Sequence, residues 1–283
     1  MRVLLHGCNG KMGKVMARVI AETPDMEVVC GVDRTAQGVQ DGNGLFSGRT
    51  VSSPAAEGLA GFPVYGSLAD VPRPGDGPAS DLDPGFDIVI DFSHHSALDS
   101  LLAFGLDRQV PLLICTTGFD PDEKAKMKAA SERIPILHSA NMSLGVNLLV
   151  SLVKEAAKVL ANSFDIEIIE KHHNQKLDAP SGTALMIADS INDSLEGSLE
   201  YVYGRHSKTE RRRRKDLGIH AVRGGAIAGE HNVIFAGQGE VVELTHSALS
   251  RDVFAYGALK AARFLVLQRA GLYSMEDVIR GGK

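Results

Sequence analysis

The sequence predicts an α/β protein built from two domains. In its first half, short apolar runs of strand length alternate with stretches whose apolar residues recur at helical spacing. A glycine-rich turn follows the first apolar run. In its second half, several segments alternate apolar and polar residues, which indicates half-buried strands. We therefore expect a parallel sheet flanked by helices, followed by an α+β domain with a mixed, largely antiparallel sheet.

The chain begins with a β-α-β unit whose first turn is rich in glycine. A strand from Arg2 to His6 enters this turn, and a helix then leads to a second strand over residues 26–32. Glycines in such a turn let the backbone approach a pyrophosphate at the helix N-terminus, which is the pattern of a Rossmann-type dinucleotide-binding domain. Asn9 replaces the second glycine of the usual fingerprint, and Asn tolerates left-handed geometry better than most residues. The predicted phosphate-binding turn comprises Gly7, Cys8, Asn9, Gly10, Lys11, Met12 and Gly13.

Two charged residues at the end of the second strand bear on the cofactor. Asp33 lies 20 residues after Gly13, where a carboxylate can accept hydrogen bonds from the adenosine ribose hydroxyls. Its neighbour Arg34 can instead pair with a 2′-phosphate. Because both residues are present, we expect the chain to accept either NADH or NADPH.

An insertion separates this unit from the rest of the first domain. Residues 35–85 are rich in Gly, Pro, Ser and Asp and show little periodicity. We expect a few short elements and a long, mobile surface loop, with residues 70–84 the least ordered. A flap over the cofactor is possible in this position, although a solvated loop is the simpler interpretation.

Strands and helices alternate again after the insertion. Ligands bind at the carboxyl ends of the strands in a parallel sheet, so the turns that follow two of these strands are expected to face the cofactor. The predicted strands are 86–92, 110–115 and 134–138, with helices over 97–106 and 122–133. The two turns supply Cys115, Thr116 and Thr117, and Ser139, Ala140, Asn141 and Met142.

The remaining elements are expected to form the second domain and to return to the first. The first strand sets Phe164, Ile166 and Ile168 against Asp165, Glu167 and Glu170, and three later strands look antiparallel, separated by glycine turns. The predicted elements are a helix over 145–161, strands over 164–170, 219–223, 226–235 and 240–246, and helices over 251–268 and 275–279. The predicted domains are therefore 1–142 completed by 251–283, and 143–250.

The loop after the strand at 164–170 carries the main candidate site. Pro180 disfavours helix at Ala179, and Ser181 is a natural N-cap for the helix that follows. Unpaired N–H groups and the dipole at a helix start favour a carboxylate or phosphate. A lysine adds fixed positive charge, and histidines titrate near neutral pH and can transfer protons. The candidates are His172, His173, Lys176, Ser181, Gly182 and Thr183.

The stretch EKHHNQKLDAPSGTA, which begins at Glu170, resembles the signature of the 4-hydroxy-tetrahydrodipicolinate reductase (dihydrodipicolinate reductase) family, E-x-H-H-x-x-K-x-D-A-P-S-G-T-A. All fixed positions of the signature are present, and the resemblance covers nearly the whole chain apart from residues 35–85. It implies an oxidoreductase of lysine biosynthesis that uses NADPH or NADH to reduce the dehydrated form of 4-hydroxy-tetrahydrodipicolinate to tetrahydrodipicolinate. The substrate is a small dicarboxylate.

The resemblance also implies roles for individual residues. One substrate carboxylate would bind Gly182 and Thr183 beside Lys176, and His173 would help to bind it. His172 is our choice of proton donor, with Lys176 stabilising charge or sharing that role. The family's nicotinamide-contacting segments, GTTGF and AANFSVG, resemble the two turns, with Cys115 in place of the first Gly and Ser139 in place of the first Ala. The family is typically tetrameric through its second domain, so we expect a homotetramer.

Two other functions remain open at this stage. A semialdehyde dehydrogenase would use Cys115 as a nucleophile, but an apolar strand end without a neighbouring base or cation favours a packed thiol. A nucleotide sensor would bind NAD(P)H without turning it over. Neither explains why two histidines, a lysine and a capped helix start occur together.

Composition argues against several other classes. A net charge of −5 over 283 residues argues against general nucleic-acid binding, and the run RRRRK at 211–215 fits a solvated loop or a rim that attracts an anionic substrate better. No apolar run approaches the ~20 residues of a membrane span. The first apolar run of the chain is also too short for a signal peptide, so we expect a cytoplasmic protein. Three scattered cysteines, Cys8, Cys30 and Cys115, suit reduced, buried thiols rather than a metal site.

Overall fold

The computed structural model of the chain describes residues 1–36, 61–74 and 85–281. Within the insertion expected over residues 35–85, positions 37–60 and 75–84 lie outside these residues, as does the interpretation of a flap. The chain divides into two compact units, Met1–Met142 with Phe254–Lys283, and Ser143–Val253. Among the described residues, no helix is both long and apolar enough to cross a bilayer.

The elements follow the predicted alternation, with three additional strands, Val64–Tyr65, Glu200–Tyr203 and Gly271–Tyr273. The α-helices are α1 (Lys11–Ala21), α2 (Leu98–Arg108), α3 (Pro121–Ser131), α4 (Leu144–Leu160), α5 (Gly182–Ser194), α6 (Asp252–Leu265) and α7 (Met275–Arg280). The strands are β1 (Arg2–His6), β2 (Glu27–Val32), β3 (Val64–Tyr65), β4 (Ile88–Asp91), β5 (Leu112–Ile114), β6 (Pro135–His138), β7 (Asp165–His172), β8 (Glu200–Tyr203), β9 (Asp216–Arg223), β10 (Gly229–Ala236), β11 (Val241–Ala248) and β12 (Gly271–Tyr273).

The first unit is organised around a parallel sheet. Its strand order is β12-β6-β5-β4-β1-β2-β3, and every pairing is parallel. Strands β4 and β5 are wholly buried apolar runs apart from one terminal Asp, as expected for strands covered on both faces. Strands β2 and β3 lie on one side of β1, whereas β4, β5, β6 and β12 follow one another on its other side. The point between β1 and β4, where the order of successive strands reverses, is the switch point at which doubly wound sheets bind ligands. The predicted Rossmann-type architecture is confirmed.

The second unit contains a mixed sheet, as predicted. Its order is β11-β10-β7-β9-β8. Strand β10 runs antiparallel to β7 and β11, whereas β9 runs parallel to β7 and β8. Parallel and antiparallel pairings are thus equally frequent rather than largely antiparallel, and β9 and β10 do not form the expected antiparallel pair because β7 lies between them. One face of the sheet packs against α4 and α5 through a core that includes Ile166, Ile168, Ile187, Val233 and Phe235.

The cationic run at 211–215 is anchored to this sheet. Arg212 donates from Nη1 to Asp165 Oδ1 at 2.6 Å and from Nε to Glu167 Oε1 at 2.9 Å. Arg213 donates from Nε to Asp216 Oδ1 at 2.9 Å. These arginines therefore hold the connection before β9 against strand carboxylates, which is a structural role rather than a nucleic-acid contact.

Candidate functional site

The glycine turn after β1 is packed too tightly for side chains. Gly7 has a φ of +78°, and a Cβ added to it would lie 2.7 Å from the carbonyl carbon of Phe92. A Cβ on Gly13 would lie 2.1 Å from the carbonyl oxygen of Gly7. Helix α1 thus begins directly against the turn, with Gly10 at its N-cap providing no side chain. A phosphate can approach the first N–H groups of α1 without steric obstruction from a capping residue.

Asp33 is held in place at the end of β2. Its Oδ2 accepts from the Asn9 N–H at 3.0 Å, and its Oδ1 accepts from the Thr35 hydroxyl at 2.6 Å and the Thr35 N–H at 2.9 Å. Burial opposes ionisation, but these hydrogen bonds outweigh it and lower the pKa of the carboxyl group. An ionised carboxylate has about four acceptor positions, so it can still accept from a ribose hydroxyl.

A cavity of about 840 Å³ opens beside this turn within the first unit. That volume is within the range of cofactor and ligand sites. It brings together five of the predicted cofactor residues, Gly7, Asn9, Gly10, Asp33 and Arg34. It also contains residues that the sequence analysis did not select, including Ser67, Phe92, Ser93, His94 and Ser96. Phe92, Ser93, His94 and Ser96 follow β4 at the carboxyl edge of the sheet. The predicted end of that strand could therefore have identified them as residues of the cofactor site.

The other predicted cofactor residues lie along the same edge of the sheet. Cys115–Thr117 follow β5 and Ser139–Met142 follow β6, and these two strands are parallel neighbours. The hydroxyl of Ser139 donates to the carbonyl of Asn141 at 2.8 Å, which shapes the second turn. The buried Oγ1 of Thr116 has no hydrogen-bond partner among the described residues. A bound ligand with a polar group would satisfy this atom.

Two cysteines in the predicted cofactor loops are packed thiols. Burial, followed by the charge of Asp91, raises the pKa of Cys115 well above its usual value. Burial and the charge of Asp33 raise the pKa of Cys8 to about 12. Both sulfurs are therefore protonated at neutral pH, which argues against a cysteine nucleophile.

The second unit positions the remaining candidates between β7 and α5. His172 ends β7 and is 8% exposed, His173 is half-buried, and the Lys176 side chain is 22% exposed. Ser181 is the N-cap of α5, because its Oγ accepts from the Ala184 N–H at 3.1 Å. Gly182 is exposed and Thr183 half-buried in the first turn of α5.

An internal carboxylate occupies part of the predicted anion site. Asp178 Oδ1 lies 2.9 Å from Lys176 Nζ. Burial opposes its ionisation, but the hydrogen bond from Lys176 outweighs burial and, with a smaller one from the Gly182 N–H, lowers the pKa of Asp178. The carboxylate of Asp178, four residues before Gly182, therefore lies near the start of α5.

Glu170 is a site residue in an unexpected environment. The strand pattern placed it with the polar residues, yet it is 0% exposed and shares the core face with Ile166 and Ile168. Its Oε2 lies 2.6 Å from His172 Nδ1, and its Oε1 accepts from the Ser181 N–H at 2.9 Å. A buried carboxylate needs such partners because desolvation of its charge is unfavourable.

Two further residues complete this buried network and were not selected from the sequence. Arg223, at the end of β9, donates to both carboxylate oxygens of Glu170 at 2.8 Å. His231, on β10, lies 3.1 Å through Nε2 from Ser181 Oγ, and its ring meets that of His172 edge-on at 5.3 Å. Burial and the neighbouring His172 lower the pKa of His231 to about 4, so it is neutral at neutral pH. Among the described residues, no group of side chains is arranged to hold a metal ion.

Comparisons with known proteins agree across both units. The family model described as dihydrodipicolinate reductase, N-terminus, matches residues 1–142, and the model of the C-terminus matches residues 145–279. A 4-hydroxy-tetrahydrodipicolinate reductase from Caldanaerobacter subterraneus subsp. tengcongensis is 52% identical over 281 residues, 99% of each chain. One from Clostridium tetani is 43% identical over 98% of this chain and 96% of its own. A dipicolinate-bound dihydrodipicolinate reductase from Paenisporosarcina sp. TG-14 has the same fold, with a TM-score of 0.73 at 24% identity over 97% of each chain.

Proposed function

Because the chain belongs to the dihydrodipicolinate reductase family, we propose that the segment from His172 to Thr183 binds and protonates the substrate of this family's reaction. The chain is an oxidoreductase that reduces 4-hydroxy-tetrahydrodipicolinate, through dihydrodipicolinate, to tetrahydrodipicolinate in lysine and diaminopimelate biosynthesis. A nicotinamide cofactor supplies the hydride when it is bound. The chain's own residues must bind the dicarboxylate and provide the proton.

The proposal rests on one observation, that this loop already holds a carboxylate. Asp178 Oδ1 lies 2.9 Å from the ammonium of Lys176, and the Gly182 N–H makes a smaller contribution to lowering the pKa of Asp178. A substrate carboxylate that replaces Asp178 would gain the same two donors and the positive end of the α5 dipole. His173 and Thr183 lie beside these donors in the chain and complete the proposed contact. The dipicolinate in the Paenisporosarcina enzyme supports a dicarboxylate ligand.

His172 is the proposed proton donor. Addition of hydride to the conjugated ring leaves an enamine-type anion, and one proton completes the reduction. The Nδ1 atom of His172 faces Glu170, so its Nε2 atom is the one that can deliver a proton. Lys176, bound near the carboxylate, stabilises the developing negative charge or shares in the proton transfer.

The proposed cofactor contacts favour neither nicotinamide dinucleotide exclusively. Asp33 is ionised and can accept from the ribose hydroxyls of NADH, while Arg34 is exposed at the rim of the same cavity and can pair with the 2′-phosphate of NADPH. The glycine turn fits the pyrophosphate, and the Thr116 hydroxyl, which has no partner among the described residues, fits the nicotinamide end. We propose that both cofactors are used.

The second unit is also the proposed oligomerisation surface. The sheet face opposite α4 and α5 carries Ile169 and Ile234, together with Val222 and Val241, which are 44% and 57% exposed. Exposed apolar side chains on an open sheet face favour a subunit interface. We propose a homotetramer assembled through this face, in a reducing, cytoplasmic compartment that suits the three free cysteines.

The test is cofactor oxidation by the purified protein, with substrate made in the cuvette from pyruvate and aspartate semialdehyde by the preceding pathway enzyme. Rapid oxidation of NADPH or NADH that requires this product supports the reaction. Lys176→Ala should raise KM, lower kcat, or both, and His172→Gln should lower kcat. Full activity in Lys176→Ala would overturn the anion site, and full kcat in His172→Gln would overturn the proton donor.

A further inference from the structure

The carboxylate of Glu170 joins three elements of the second unit at one buried point. It contacts His172 at the end of β7, the N–H of Ser181 at the start of α5, and Arg223 at the end of β9. Arg223 binds both carboxylate oxygens at 2.8 Å. A two-point Arg–carboxylate contact fixes both the position and the plane of the acceptor.

This network determines which atom of His172 carries a hydrogen toward Glu170. Burial opposes ionisation of Glu170, but the hydrogen bonds from Arg223 and His172 outweigh it and lower the pKa of the carboxyl group. An ionised carboxylate only accepts hydrogen bonds, so the Nδ1 of His172, at 2.6 Å, must be the donor. When the ring of His172 is protonated on both nitrogens, the proton that it can transfer is therefore the one on Nε2.

The backbone of Gly229 lies close to that same atom. A Cβ added to Gly229 would lie 3.1 Å from His172 Nε2, so the glycine keeps this side of the ring free of a side chain. On another side, the ring of His231 packs edge-on against His172 at 5.3 Å and 74°. The ring is thus held at Nδ1 and bounded at one edge by His231, and position 229 places no side chain over Nε2.

We propose that Glu170 is a positioning residue for the reduction: it holds His172 in one orientation with hydrogen on Nδ1. The proton that the ring takes up from solvent is then carried on Nε2, which faces the substrate, and its delivery leaves a neutral ring that still donates from Nδ1 to Glu170. This inference rests on the proposed role of His172 as the donor. Arg223 and the Ser181 N–H stabilise the ionised carboxylate and keep it on Nδ1. Glu170 itself, wholly buried, does not touch the substrate.

The test is a double-mutant cycle between Glu170→Gln and His172→Gln. Gln has the shape of Glu but can donate a hydrogen bond to Nδ1, which allows the other tautomer. We expect Glu170→Gln to lower kcat by about 10- to 100-fold. The KM and the dissociation constant for dipicolinate should stay within about two-fold, because the anion donors are unchanged. In the His172→Gln background, Glu170→Gln should lower kcat no further, since it acts through the ring.

A matched control separates this effect from the loss of any Glu–His pair. Glu123 Oε1 lies 3.2 Å from His95 Nδ1 in the first unit. Glu123→Gln retains the capping interaction of α3 and should leave kcat unchanged. If Glu170→Gln does not fold, Glu170→Asp keeps the charge but withdraws the carboxylate by one methylene, and it should show the same loss of kcat.

Each outcome bears on a different claim. Full kcat in folded Glu170→Gln, or in Glu170→Asp where that variant is needed, would overturn the positioning role, as would losses of kcat that multiply in the double variant. Full kcat in His172→Gln would overturn the proton donor instead. A large rise in the dipicolinate dissociation constant of Glu170→Gln would show a purely structural role in the loop and would also overturn the inference.

Discussion

The carboxylate of Asp178 competes with the substrate for the proposed anion site. It is paired with Lys176 at 2.9 Å near the Gly182 N–H, and these are the proposed donors to a substrate carboxylate. Its pKa is lowered, so it stays ionised at neutral pH and must be displaced on binding. Asp178→Asn keeps the size of the side chain and removes its charge. We therefore expect this variant to bind the dicarboxylate more tightly.

The size of the effect follows from the exposure of the pair. Asp178 is 57% exposed and Lys176 is 22% exposed, so solvent screens much of their attraction. Partly exposed ion pairs contribute about 0–1 kcal/mol, and a value of about 1 kcal/mol suits this pair because the Gly182 N–H also contributes. Since 1.4 kcal/mol is a factor of ten, removing the competing charge should lower the dissociation constant about five-fold.

The assay is calorimetric titration of dipicolinate into the protein with reduced cofactor present, together with KM for the enzymatically generated substrate. Asp99→Asn is the matched control, because Asp99 forms a similar pair with Lys126 at 2.7 Å in the first unit and the net charge changes equally. The control should bind as the unmodified chain does. A dissociation constant that is unchanged or higher in Asp178→Asn would refute the competition.

Three further results are expected. Arg34→Ala should raise the KM for NADPH by about ten-fold and leave that for NADH nearly unchanged; equal effects on the two cofactors would argue against a 2′-phosphate contact. Cys115→Ser should retain activity, since the thiol is buried and protonated, and its inactivation would restore the nucleophile hypothesis. Burial lowers the pKa of His231 from 6.5 to about 4, so its stabilising contribution is complete above pH 6.5 and is lost as the pH falls toward 4. The urea unfolding midpoint should fall with pH across this window, and His231→Gln should make that fall less steep, because it removes at most about 3 kcal/mol of pH-dependent free energy of unfolding. An equally steep fall in the variant would contradict the lowered pKa of His231.

The parallel sheet could be predicted because its signals are local. Each strand of the first unit except β3 and β12 is an apolar run bounded by a turn, and a helical pattern follows most of them. The glycine turn could also be predicted, and the structure shows the reason for its glycines, since Gly7 and Gly13 leave no space for a Cβ. Strands β3 and β12 span two and three residues, too few for a period to be visible. Only their pairing with β2 and β6 makes them strands.

The second unit was harder because its site depends on strand order. Arg223 and His231 both lie on predicted strands, but nothing in the sequence places β9 and β10 on opposite sides of β7. That arrangement brings Arg223 to Glu170 and His231 to Ser181. The network is therefore tertiary in origin, whereas Lys176 and the start of α5 belong to a local loop that the sequence identified.

Glu170 and Asp178 show why a motif does not assign roles to its acidic residues. Both belong to the same signature, and both are ionised with a cation beside them. Glu170 is fully buried and bound at both oxygens, so substrate cannot displace it, and its replacement should lower kcat without changing affinity. Asp178 is 57% exposed and paired with Lys176, a proposed donor to the substrate, so its replacement should raise affinity. The alternation of side chains along β7 distinguishes the two acids, because it places Glu170 on the same face as Ile166 and Ile168. An acid on a core face must have a buried partner.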